Sequence, residues 1–169
     1  MWLSKQIVLP LLMIVLAGCG FRPMYGAGGS DGSVPEDFSA IKIDLIADRT
    51  GQQLHNHLLD LLTPRGRPAK PLYILKVSLT ERTSEIAVKS TGLATRANVF
   101  VDARFTLVSI DTGKQLTKGT ARAFSSYNLT ESEFSNLTAE QDSLSRATRD
   151  IAADIRSRLG AYFSERSSV

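Results

Sequence analysis

Cys19 is the single cysteine of a 169-residue chain, and it closes the tetrapeptide Leu16-Ala17-Gly18-Cys19. A thiol in that setting points to one chemistry: its sulfur takes a diacylglycerol, and cleavage ahead of it makes the cysteine the first residue of the mature protein. What precedes it fits. Lys5 supplies a short positive region, and the mostly apolar run from Ile7 to Ala17 follows. Such a segment has the parts of a secretory signal and is too short to remain as a bilayer span. Each buried methylene contributes roughly 0.8 kcal/mol, so one acyl chain holds a protein marginally and two or three hold it durably. With its only thiol consumed by lipid, the chain forms no disulfide and its folded part rests on a core alone.

Other reactive groupings lead nowhere. His55 and His57 are the only histidines. Two helical residues two apart point about 200° away from each other, so they do not converge on one ion. No Gly-x-Ser-x-Gly elbow accompanies the serines, and Gly28-Gly29 has no strand before it or helix behind it to make a phosphate loop. No enzymatic activity, metal or other cofactor is expected. The chain carries 20 Lys and Arg against 17 Asp and Glu, a small excess that does not suggest nucleic-acid binding. Basic residues therefore matter only where they cluster locally.

The elements that must position these residues can be read from periodicity. Residues 1–18 are the signal, and 19–38, rich in Gly with Pro23 and Pro35, form a lipidated flexible tether. One domain spans 39–163, followed by a polar tail over 164–169. Removing the signal leaves 151 residues, enough for one core. Ile41, Ile43 and Leu45 alternate as a strand. Thr50-Gly51-Gln52-Gln53 has capping-box spacing before a helix with Leu54, Leu58, Leu61 and Leu62 on one face. Tyr73, Leu75, Val77 and Leu79 begin a second strand that can continue through Val88, with a turn at Lys89-Ser90-Thr91-Gly92.

The third strand is the clearest, with Ala97, Val99, Val101, Ala103, Phe105 and Leu107 on one face. Asp111-Thr112-Gly113-Lys114 signals a hairpin into a fourth strand over 115–127. That strand places Gly119, Ala121, Ala123 and Ser125 on one side, where a helix could approach closely. Thr138 to Gln141 repeats the capping-box spacing, and Leu144, Ala147, Ile151, Ile155, Leu159 and Tyr162 form the stripe of a final helix. The order β-α-β-β-β-α predicts an α+β two-layer sandwich, two helices on one face of a four-stranded sheet. The opposite face carries Arg104, Lys118, Thr120 and Arg122, together with Phe100, Val108 and Ile110. It is more apolar than a fully wetted surface needs and reads as a docking surface.

Leu16-Ala17-Gly18-Cys19-Gly20-Phe21-Arg22-Pro23-Met24-Tyr25 resembles the mature start of the LptE family, the lipopolysaccharide-assembly lipoproteins, in its alphaproteobacterial form. Gly-Phe-Arg-Pro-Met-Tyr is the specific part, and the order of elements with a terminal helix like Arg146 to Leu159 extends the resemblance over nearly the whole mature chain. The interior strands match only in pattern. The resemblance implies a lipoprotein anchored on the periplasmic side of the outer membrane that plugs the LptD β-barrel, helps it assemble and assists insertion of lipopolysaccharide. Gly20 after the lipidated cysteine agrees with outer-membrane sorting.

Cationic residues near loop tips are the candidates for contact with that anionic lipid. Lys89, at the turn between the second and third strands, matches the position of a basic residue in relatives, and Arg82 and Arg96 flank the same hairpin. Phe100, Arg104, Lys118 and Arg122 are the candidates for a partner-facing sheet surface. Where relatives carry a second basic site ahead of the last helix, this chain has Ser135-Asn136-Leu137. A generic envelope lipoprotein, serving as a transporter accessory or secretin-type pilot, is the alternative reading.

Overall fold

The computed structural model describes residues 36–88 and 94–167. Their elements, in chain order, are α1 (Glu36–Ser39), β1 (Ile41–Ile43), α2 (Asp48–Leu62), β2 (Tyr73–Val88), β3 (Ala94–Ser109), β4 (Gln115–Asn128) and α3 (Glu133–Ser167). The strands form one sheet in the order β1-β2-β3-β4. β1 runs parallel to β2 through Ile41↔Tyr73 and Ile43↔Leu75. β2, β3 and β4 are successive antiparallel neighbours. The predicted α+β sandwich is the one observed, with α1 added at its start.

Alternation along β3 decides the layers. Its odd-numbered residues from Ala97 to Leu107 are buried against the helices, and its even-numbered residues face the other way. α3 lies across β4 and β3, and α2 packs beside it against β1. At about 1.5 Å per residue the 35-residue α3 is roughly 52 Å long. The 16 residues of β3, at about 3.3 Å each, reach nearly the same length. One helix therefore backs the sheet from end to end. Ala147, Ile151, Ile155 and Leu159 meet Leu54, Leu58 and Leu62 of α2 and the buried face of β3 in a single core.

The ends of the elements depart from the local signals. α2 begins at Asp48, whose φ of 67° swings the chain into the helix, and Thr50 lies buried inside its first turn rather than capping it. α3 begins five residues before Thr138. Its start is held by a cluster in which the Asn136 carboxamide accepts from the Thr130 amide at 2.8 Å and donates to the Thr130 carbonyl at 2.9 Å. The Thr138 hydroxyl instead donates to the Phe134 carbonyl within the helix. At the other end α3 continues to Ser167, so most of the expected polar tail is helical.

Phe38 also moves from tether to core. It is 2% exposed and meets the ring of Phe163 edge-on, centroids 5.9 Å apart. Tyr73 approaches the same ring at 5.3 Å. This aromatic knot joins α1, β2 and α3 where the described chain enters the fold. Phe38, the one apolar residue of Glu36–Ser39, was hidden by the Gly- and Pro-rich composition before it.

Gly119 has a different reason from the one its setting suggested. A Cβ there would lie 2.7 Å from Cζ of Phe105, so the missing side chain makes room for a ring of the neighbouring strand rather than for a helix. Closer to the helix are Ala121, fully buried, and Ser125, whose hydroxyl accepts from Nε of Arg146 at 3.2 Å.

Candidate interaction surface

Two helices cover one side of the sheet and none of the described residues covers the other. The uncovered side is built from even-numbered residues of β2, β3 and β4, which the register arranges in cross-strand rows. Lys76, Thr106 and Lys118 form one row, Ser78, Arg104 and Thr120 the next, then Thr80, Asp102 and Arg122. Arg82, Phe100 and Phe124 follow, and Arg96 lies further on between Ile86 and Asn128. Six cations thus share this face of the three strands with one carboxylate, while Glu81 and Glu85 of β2 belong to the opposite side by alternation. The chain's formal net charge is only +3, so six cations against one carboxylate make this face more positive than the chain's average.

At its centre is a shallow depression of about 260 Å³ lined by Arg82, Phe100, Asp102, Arg122, Ala123 and Phe124. The Arg82 guanidinium carbon stands 4.5 Å from the Phe100 ring centroid, an arrangement worth about 0.5–1 kcal/mol at an exposed site. Phe100 and Phe124 are cross-strand partners with centroids 6.2 Å apart and a 31° tilt. Phe124 is 65% exposed, a large apolar side chain left in water. Nε of Arg122 meets Oδ1 of Asp102 at 3.0 Å. Both side chains are largely exposed, so the pair contributes about 0–1 kcal/mol and leaves the guanidinium accessible. Below this row the Ser126 hydroxyl donates to Oδ1 of Asn98 at 2.6 Å.

Such a surface can grip rather than react. Guanidinium groups offer planar donors to carboxylates and phosphates, lysines offer point charges, and the two rings offer apolar area. The four residues read from sequence as partner-facing, Phe100, Arg104, Lys118 and Arg122, all share it. Arg82 and Arg96 share it too, although the sequence placed them only as flanks of a hairpin. Phe124 was missed; its signal was the alternation of β4 combined with the register opposite Phe100. Cys19 and Lys89 lie outside the described residues. His55 is buried, with Nδ1 3.3 Å from the Asp44 carbonyl oxygen, and among the described residues no three His, Cys, Asp or Glu side chains gather where they could hold a metal ion.

A family model for lipopolysaccharide assembly, LptE, matches residues 38–159, a span that runs from the aromatic knot through the buried stripe of α3. The chain belongs to the LptE family. A putative lipoprotein from Caulobacter crescentus has the same fold as this LptE-family chain, with a TM-score of 0.68 at 21% identity, over 78% of this chain and 96% of that one. A minor lipoprotein from Acinetobacter baumannii is similar at a TM-score of 0.59 and 20% identity, over 73% and 92% of the two chains. The rare lipoprotein B of Shewanella oneidensis reaches 0.59 at 9% identity, over 75% and 98%. An uncharacterized protein of Rickettsia prowazekii is 24% identical over 153 residues, 90% of this chain and 94% of that protein. No described helix of this LptE-family chain is long and apolar enough to cross a membrane.

Proposed function

We propose that this LptE-family lipoprotein is held on the periplasmic side of the outer membrane by a diacylglycerol on Cys19. There it plugs an LptD-type β-barrel, helps the barrel assemble and assists delivery of lipopolysaccharide to the cell surface. The observation that carries this reading is the family match over 38–159 on a fold with one whole sheet face uncovered, cationic and studded with exposed rings. The protein does no bond chemistry in this role. Its sheet face, through Phe100, Arg104, Lys118 and Arg122, meets the barrel. Lys89, together with Arg82 and Arg96, meets phosphates and acidic sugars of the lipid through charge-assisted contacts.

Photoreactive residues at Phe100, Arg104 and Lys118 in cells with an intact envelope test the partner. The expected adduct is a heat-modifiable barrel. A full-length protein that leaves mild detergent extraction as a stable monomer without an envelope partner refutes the plug. For the lipid role, Lys89→Glu should weaken lipopolysaccharide binding in vitro with an unchanged circular dichroism spectrum. Equal binding by both proteins removes Lys89 from the site.

A further inference from the structure

The end of the sheet where the described chain enters the fold differs from the rest of the uncovered face. Ile74 of β2 and Val108 of β3 are cross-strand partners there. Beyond them the Ile110 amide donates to the Leu72 carbonyl at 2.9 Å, and the Leu72 amide to the Ala40 carbonyl at 2.9 Å. Leu72 is 58% and Ile110 42% exposed. Four aliphatic side chains thus form the rim of the sheet beside Ala40.

Cations stand immediately behind this rim. Lys42 is the register partner of Ile74 on β1, and Lys76 and Lys118 both face Thr106 across the next row. Lys70 and Lys114 border the rim from the flanking loops, and all five lysines are exposed. Asp44 and Asp111 are the acids nearest in sequence to these rows. Adjacent rows two residues apart are separated by about 7 Å, comparable to the roughly 5–8 Å headgroup layer on each side of a bilayer.

We propose that this rim docks on an anionic lipid bilayer, with Leu72, Ile74, Val108 and Ile110 entering the headgroup layer and Lys42 and Lys76 meeting its phosphates. The proposal rests on anchoring through Cys19. Sixteen residues separate that cysteine from Glu36 and span at most roughly 55 Å however they run. The far end of the sheet lies about another 50 Å away along the 16 residues of β2. The anchored segment thus joins the domain at the rim, beside Ala40, within that reach of the membrane. Aliphatic side chains backed by lysines are the composition by which peripheral surfaces hold anionic bilayers.

The test uses the full lipidated protein in phosphatidylethanolamine vesicles, with and without phosphatidylglycerol. A photoreactive phenylalanine derivative replaces Leu72, Ile110 or, as a control at the opposite end, the 79% exposed Phe134. Lipid adducts at 72 and 110, absent at 134, are expected. Lys42→Glu with Lys76→Glu should lower them at least roughly ten-fold on the anionic vesicles, because each basic residue adds to attraction at a charged surface. Adducts at 72 and 110 no stronger than at 134, or adducts to a second copy of the chain, overturn the docking. Flotation with the vesicles reads the anchor separately: a floating protein without rim adducts refutes the docking alone, and one that does not float refutes both.

Discussion

Gly119→Ala should destabilise the domain although alanine is the better strand residue. An ideal Cβ at 119 lies 2.7 Å from Cζ and 2.8 Å from Cε1 of Phe105, where carbon atoms prefer roughly 3.5–4.0 Å. Phe105 is 3% exposed, so its ring has no solvent to swing into and the strands must part or the ring must leave its rotamer. Overpacking of this kind costs about 1–3 kcal/mol. Replacing glycine in a strand returns roughly 0.5–1 kcal/mol, which leaves a net loss of up to about 2.5 kcal/mol. Urea unfolding followed by circular dichroism should show a lower midpoint with an unchanged slope. The decisive comparison adds Phe105→Leu, which frees the space the methyl needs. The double variant should be more stable than the sum of the single losses predicts, by roughly 1 kcal/mol or more. A raised midpoint for Gly119→Ala, or strict additivity in the cycle, refutes the packing argument.

Ile151→Ala removes a fully buried side chain from the seam between α3 and the sheet and should cost about 2–5 kcal/mol in the same unfolding assay. Arg122→Ala breaks an exposed ion pair, so its stability should stay within about 1 kcal/mol of the parent, while photocrosslinking from Phe100 to the proposed barrel partner should fall. Burial, then the nearby charges of Glu140 and Glu85, raise the phenol of Tyr127 above its ordinary value. The unfolded chain therefore loses this proton first, and stability should fall as pH rises from about 10 through the higher folded value. Tyr127→Phe should flatten that alkaline slope, measured as urea midpoint against pH.

Periodicity made the layers legible because β3 alternates without interruption and the α3 stripe repeats at helical spacing for four turns. The element ends were not legible. Thr50 and Thr138 have the spacing of capping residues, but both helices start upstream of them, α2 at the positive φ of Asp48 and α3 behind the Thr130–Asn136 hydrogen bonds. Phe38 shows the same limit from the other side, since its burial depends on a ring at Phe163 that no local pattern reveals. The site was half visible. Alternation put Phe100, Arg104, Lys118 and Arg122 on one face, yet the row that gathers Arg82, Phe100 and Phe124 depends on a register shift between Leu107 and Val108. Near the turn Val108 pairs Gln115, a register that carried onward would set Phe100 opposite Ala123; after the shift it stands opposite Phe124. One irregular residue, unmarked by glycine or proline, thus creates the aromatic pair.

β1 spans only Ile41–Ile43 and matches Tyr73–Leu75, so among the described residues β2 has no strand on its β1 flank from Lys76 to Val88. β4 likewise has a neighbour on one flank only. β2 guards its open border with Lys76, Glu81, Arg82 and Glu85, the charges that discourage stray pairing. β4 has no proline and no acid across its 14 residues. With only Lys118 and Arg122 to guard it, a border of that kind invites edge-to-edge addition of another strand, so the protein concentrated without its envelope surroundings should self-associate through β4 before its core gives way.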